Sequence, residues 1–358
     1  MKTKKWLLLS AILFIAGAVF CSVGYIKAQA MGPEIQTERT LTPKEFRLNS
    51  DGLEALQIDL ISEKVSCVST RGQEIVIKYS DNEEKPLYRI KKSGDALIVE
   101  YNDDHQVGFI NIFNIGKWFR NSFKNTQTAE FTIEIPEAYS GSADFNLTSG
   151  SLSLTGLAFK NGLSIDKTSG KTVLKDITVS EGSLDINTTS GDVSIERCSV
   201  LKGSEATTAG HINIDCVSSS VSLDTVTADS NLDINTTSGD SKLKNVTVGG
   251  HILADQVSGS ITGNDIIAES MDLNTTSGKI DLDVVEIHSE FRSDSISGNV
   301  KVCFKDSADN YRIETDTISG KKDFGGETGN SKADKNISID TTSGNITLGF
   351  NAKSSTTR

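Results

Sequence analysis

The sequence predicts an all-β chain: one elongated β-solenoid of stacked coils of about twenty residues, preceded by an N-terminal transmembrane helix. Three observations carry this. Leu184-Asp185-Ile186-Asn187-Thr188-Thr189-Ser190-Gly191 returns almost unchanged at Leu232–Gly239 and Met271–Gly278. Weaker copies place anchors at Gly150, Gly170, Gly191, Ser219, Gly239, Gly259, Gly278, Gly298, Gly320 and Gly344, mostly 19 to 22 residues apart. Around each anchor apolar and polar residues alternate with period two, as in strands and not helices. One such coil is too thin to bury its apolar side, so neighbours must stack.

Taken in chain order, residues 1–30 come first. Lys2, Lys4 and Lys5 precede an uncharged run from Trp6 to Ile26, long enough to cross a hydrocarbon core as a helix. The lysines place the N-terminus inside and the rest outside the cytoplasm. Two readings stand: a retained single-pass anchor, favoured by the length of the run, or a signal segment cut near Ala30 after Ala28-Gln29-Ala30. Residues 31–45 read as a linker. Residues 46–140 read as the first, less regular coils, with strands such as Ala55–Leu60, Glu74–Tyr79 and Ala96–Tyr101 covering an edge that would otherwise invite pairing.

An insertion at 105–127 breaks the style of the chain. Phe109, Ile112, Phe113, Phe119 and Phe123 share a helical face, with Trp118 nearby and Lys117, Arg120 and Lys124 among them. It reads as a lid on the solenoid, or as a contact for a membrane surface or partner. Residues 141–350 are the regular repeats. The one long interval, before Ser219, holds a loop near Leu201–Ala209. After Gly320 a loop over Asp323–Asn336 leads to Ile337–Phe350 as the last coil, and 351–358 is a tail.

Within the repeat, the residue seven before each anchor is apolar, and the residue two before it is always Thr, Val or Ile. The residue four after is mostly apolar, Gly263 being the exception. Four before every anchor stands an Asn or Asp: Asn146, Asp166, Asn187, Asp215, Asn235, Asp255, Asn274, Asp294, Asp316 and Asp340. The first eight alternate. Stacked at ~4.8 Å, a row of carboxylates repels, whereas an amide can donate to the carboxylate on either side. The expectation is one continuous Asx ladder beside a turn where the anchor glycine permits positive φ. A forty-residue coil is the alternative; it would stack acid on acid and need a cation such as calcium between them.

A net charge of −12 disfavours nucleic acid as a partner. Of five cysteines, Cys21 lies in the apolar segment; Cys67, Cys198, Cys216 and Cys303 have no metal-finger spacing and read as buried single thiols, a Cys198–Cys216 bridge being the weaker alternative. His211 and His251 occupy equivalent positions two coils apart, too far to share a zinc, and read as exposed strand-edge residues. The acids belong mostly to the repeat, so no singular catalytic pair stands out. No catalytic, cofactor or metal residues are assigned.

The repeated Thr-Ser-Gly-Asp/Lys/Asn followed by alternating Val, Ile or Leu, with the apolar strand ending at Ile135-Pro136, resembles the bacterial DUF4097 proteins, which carry an adhesin label. The resemblance runs from about Phe46 to Phe350. It implies a β-strand-repeat fold, often behind an N-terminal membrane segment, and supplies no catalytic residues. The insertion at Phe109–Phe123 departs from the family pattern. The expected function is a membrane-anchored, extracytoplasmic adhesin or scaffold binding a surface glycan or protein. A cell-envelope stress or regulatory module holding a membrane partner and a β-helix carbohydrate enzyme are the alternatives.

Overall fold

Alternation puts the residues seven, five and three before each anchor on one side of a strand and those six, four and two before it on the other. In the computed structural model, which describes residues 41–102, 129–203 and 210–351, the first set is buried in the regular coils, except that Ile313, Thr315 and Thr317 in the outermost one are half-buried, and the second faces out. Successive copies pair in parallel, in register: Ala143 with Leu163, Leu163 with Leu184, then Ile212, Leu232, Ile252, Met271 and Phe291 in turn. The coil is therefore the twenty-residue one, and the forty-residue alternative falls. The 28-residue interval changes nothing in the register, since Leu184 still pairs with Ile212 and Val193 with Val221.

Each coil has three sides. The second side follows the anchor, as in Leu152–Thr155 and Thr172–Lys175. The third is a short strand such as Ala158–Phe159 or Thr178–Val179. Between them lies a corner that sequence reading missed. Six residues after the anchor the backbone turns left-handed, with φ of 54° at Asp176, 52° at Arg197, 61° at Thr225, 52° at Asn245, 55° at Asp265, 54° at Val284 and 69° at Gly156. Gly263, the one gap in the apolar row, is filled by the side chain of Ile266, whose Cδ1 lies 2.5 Å from where a Cβ would stand.

The anchor glycines have positive φ at Gly150, Gly170, Gly191, Gly239 and Gly259. Close backbone stacking excludes a side chain at these glycines and at the later ones alike: a Cβ would stand 2.0 Å from the carbonyl oxygen of the coil before at Gly170, 1.8 Å at Gly278 and 1.7 Å at Gly298. At Gly278 and Gly298 φ is outside the left-handed region, so only the steric reason remains.

Both ends depart from chain order. At the start, Ala55–Leu60 lies between Ala96–Tyr101 and Ser142–Leu147, so the earliest coil is sandwiched by a later one. Leu41–Asn49, Glu74–Asn82 and Tyr88–Ser93 then add antiparallel strands that cap this end; they are a cap and not the irregular coils expected. At the other end, Lys335–Ser343 slots between the strand ending at Ser297 and Tyr311–Ser319. The coil expected to be last is thus the penultimate one in space. Aromatic side chains plug both ends: Tyr79, Tyr88, Tyr101 and Phe131 at the first, and Phe291, Phe304, Tyr311 and Phe350 at the second.

No helix among the described residues is long and apolar enough to cross a membrane. The run Trp6–Ile26 lies outside the described residues, as does the insertion with Phe109, Ile112, Phe113, Trp118, Phe119 and Phe123. The insertion's flanks are described: it leaves at Asn102 and returns at Ala129, the turn of its coil where regular coils carry the anchor.

Candidate functional site: the Asx seam and its trough

The residues four before each anchor meet in one column. Asn146 pairs with Asp166, Asp166 with Asn187, and so on through Asp215, Asn235, Asp255, Asn274 and Asp294. Asp59, which the sequence reading did not include, extends the column beyond Asn146, and Glu100 lies beyond Asp59. The hydrogen bonds correct the continuous ladder. Asn146, Asn187, Asn235 and Asn274 each donate Nδ2 to the carboxylate one coil earlier, Asp59, Asp166, Asp215 and Asp255 respectively, at 2.8 Å. An amide has donors on one atom only, so its oxygen faces the next coil; Asn274 Oδ1 accepts the backbone N–H of Asp294 at 3.3 Å. The column is a series of amide–acid pairs. Because Lys335–Ser343 is inserted out of order, it ends with three acids together: Asp294, Asp340 and Asp316.

The outward position six before the anchor has its own pattern: Asp144, Ser164, Asp185, Asn213, Asp233, Leu253, Asp272 and Arg292. In these eight coils, where the seam holds an amide this neighbour is an acid and where it holds an acid it is not; at the far end Glu314 beside Asp316 departs from the pattern. The result is a checkerboard that keeps like charges diagonal. Burial pushes the Asp144 carboxyl up, and the charges of Asp166 and Asp59 add to this against the hydrogen bond from Asn146. Burial also raises Asp233, with His251 and His211 pulling it back and Asp215 and Asp255 adding to the rise.

Among the described residues, Asp144, Asp166, Asp185, Asp215, Asp233, Asp255 and Asp272 make no ion pair; Asp294 meets Arg292 and Asp316 meets Lys322. The second side behaves differently, since several of its acids are paired across coils, as Lys244 with Asp224 at 2.9 Å and Lys301 with Asp281 at 3.5 Å. One face of this solenoid therefore carries uncompensated negative charge.

Along the seam runs a trough in two stretches, about 940 and 730 Å³, both bordered by Asp255. One wall is the Asx column. The other is the row two before the anchors, including Thr189, Val217, Thr237, Val257, Thr276 and Ile296. The inward row three before the anchors borders the floor: Lys167, Thr188, Cys216, Thr236, Gln256, Thr275 and Ser295. Lys167 is buried, and its Nζ donates to the carbonyls of Gly170 at 3.1 Å and Lys171 at 2.9 Å. Burial brings its pKa down to about 8. From Asp59 to Asp316 the seam crosses eleven coils, a length of roughly 48 Å at sheet spacing.

The remaining expectations resolve simply. Cys67, Cys198 and Cys216 are buried thiols and Cys303 is half-buried; Cys198 and Cys216 are unbridged. His211 and His251 are half-buried and not exposed, and His251 Nδ1 lies 2.8 Å from Ser270 Oγ. Among the described residues no group of His, Cys, Asp and Glu is arranged to hold a metal ion.

Fold and seam together define a class: a three-sided parallel β-solenoid with capped, aromatic-plugged ends and one repeated acidic face. Within that class the chain belongs to the DUF4097 family, described as Toastrack DUF4097, which matches residues 53–264 and 207–349. None of the curated proteins compared matches the chain. Among solved structures it is similar to a "putative adhesin" from Bacteroides fragilis NCTC 9343, with 12% identity over 88% of this chain and 100% of that one and a TM-score of 0.33. It is likewise similar to a "putative lipid binding protein" from Parabacteroides distasonis ATCC 8503, with 12% identity, 86% and 96% coverage and a TM-score of 0.40. A "putative cell adhesion protein" from Clostridium sporogenes ATCC 15579 gives 13%, 87%, 100% and 0.24.

Proposed function

We propose that this chain is an extracytoplasmic binding scaffold, held to a membrane by residues 6–26, whose ligand lies lengthwise in the trough. The observation that carries the reading is the trough itself. It follows a straight seam over many coils, and among the described residues Asp166, Asp215 and Asp255 have no cationic partner, while Asp294 and Asp316 meet Arg292 and Lys322. Unpaired charge on a stacked surface costs stability through mutual repulsion, and a ligand that answers it recovers that cost. A long, shallow, regular site suits a linear ligand better than a small molecule, which wants a deep concave pocket.

The scaffold binds and does not catalyse: its acids are repeat positions, and turnover needs a singular set of groups converging on one atom. The test uses the full-length protein in detergent with panels of wall-type glycan oligomers and peptides. Binding is read as protection of Thr189, Thr237 and Thr276, each replaced by cysteine, from a soluble maleimide. Protection of all three by one ligand supports the reading; no protection by any member of the panels removes it. Membrane fractionation and the mass of the mature chain test the anchor, and mass loss at Ala30 would replace it with secretion.

A further inference from the structure

The wall opposite the Asx column is not uniform. Val217, Val257, Ile296 and Ile318 are 51, 52, 57 and 81% exposed, and they are the exposed large hydrophobic side chains among the described residues. All four stand on this one wall. In stacking order Thr237, Thr276 and Thr342 fall between them. In chain order Ile296 and Ile318 are consecutive; only the inserted strand Lys335–Ser343 puts Thr342 between them. Each apolar rim residue shares its coil with a seam carboxylate: Asp215 with Val217, Asp255 with Val257, Asp294 with Ile296, Asp316 with Ile318. The coils between carry threonine on the rim. A unit of one acid and one aliphatic group therefore repeats every two coils, about 9.4 to 9.8 Å.

That period discriminates among linear partners. Same-side residues of an extended strand recur at about 6.6 to 6.8 Å. One α-helical turn is about 5.4 Å, and the seven-residue helical repeat, ~10.5 Å, drifts by about an ångström per unit. A polyproline II helix has three residues per turn at ~3.1 Å each, so one turn is about 9.3 Å. Its mismatch is a few tenths of an ångström per turn, within side-chain reach over the length of the trough.

We propose that the trough takes a basic, proline-rich segment in the polyproline II conformation, with a lysine or arginine once per turn against the seam carboxylates and proline rings on Val217, Val257, Ile296 and Ile318. The proposal rests on the binding-scaffold reading and adds the class of ligand. A second copy of this face does not fit, because it would bring an uncompensated acidic surface against itself. A preformed polyproline helix also loses little conformational entropy on binding.

The test is titration of the full-length protein in detergent with a fluorescent peptide of five Pro-Pro-Lys triplets. The control peptide has the same composition with its lysines clustered at one end. Expected are binding that weakens with salt, at least about five-fold weaker binding of the control, and losses of about five-fold each for Asp255→Asn and for Val257→Ser with Ile296→Ser. These surface positions leave the stacked core untouched, and a retained thermal midpoint verifies that. Equal binding of the clustered control overturns the proposal, as nonspecific attraction of polycations. Self-association abolished by the Val257→Ser, Ile296→Ser variant also overturns it, in favour of a second copy. A neutral glycan that protects the trough where the peptide does not overturns the proposal while leaving the scaffold reading standing; no protection by either ends both.

Discussion

Lys167 is the residue whose environment is least like its neighbours'. It sits in an inward row otherwise made of Leu147, Thr188, Cys216 and similar groups, only 6% exposed, with its ammonium held by two backbone carbonyls. Burial lowers its pKa from 10.5 to about 8. A base with a lowered folded pKa binds its proton more weakly in the folded than in the unfolded state, so it destabilises the fold fully below pH 8. That penalty is relieved as pH rises from about 8 to 10.5, by about 3 kcal/mol in all. The expected result is a Lys167→Met variant that is more stable than the parent at pH 7 and loses its advantage by pH 10.5 in urea titrations. An advantage independent of pH would mean that the lysine is not buried as a cation. Val284 makes a second case, holding φ of 54°, where a β-branched residue is strained and asparagine is not. Val284→Asn should raise stability by about 1 kcal/mol, read as a shift in the urea midpoint.

Among elements, the inserted strands decide how the ends hold. Lys335–Ser343 pairs on both edges, and Ile346–Phe350 pairs with Val300–Phe304 and Lys322–Asp323 while Phe350 stacks on Phe304 at 5.7 Å. Among the described residues Tyr311–Ser319 pairs with no strand other than Lys335–Ser343. Removing residues 335–358 should therefore release Tyr311–Asp323 and expose Phe291 and Phe304, while the coils from Leu184 to Ser258 keep their amide protection, as stability in such arrays is local. Hydrogen exchange checks this, and protection retained at Tyr311–Ser319 would contradict it. The regular coils were legible in the sequence because each repeats the same apolar, Asx and glycine positions. The ends were not, since period-two alternation tells a strand's buried face but not its neighbour, and Ile337–Phe350 reads as the last coil simply because it comes last. The left-handed corner was only partly marked: Asp176, Asn245, Asp265 and Gly156 are types that favour positive φ, but Arg197, Thr225 and Val284 at the same place are not.

For the molecule as a whole, a net charge of −12 is spread unevenly, with the seam face uncompensated and the second side paired across coils. Salt screens repulsion between exposed like charges over about 8 Å at physiological strength. Added sodium chloride, from a few millimolar to ~0.15 M, should raise the thermal midpoint by about 2 to 4 °C. A fall would mean that the cross-coil ion pairs outweigh the seam. Quasi-one-dimensional stacking also explains how one face acts as a unit: a change at one coil is felt by its two neighbours, so a ligand spanning many coils sums small local contacts.

By itself the sequence determined the all-β class, a repeat of about twenty residues, and within it a recurring amide or acid four residues before an anchor that is glycine nine times in ten. These follow from spacing, because in a stack of equal coils residues one period apart lie above one another. The tertiary structure alone decided which coil lies next to which at the two ends, and hence the run Asp294, Asp340, Asp316 and the restored order Ile296, Thr342, Ile318. Strand pairing is chosen by which edges can be satisfied and which apolar surfaces can be covered, not by the order of the chain.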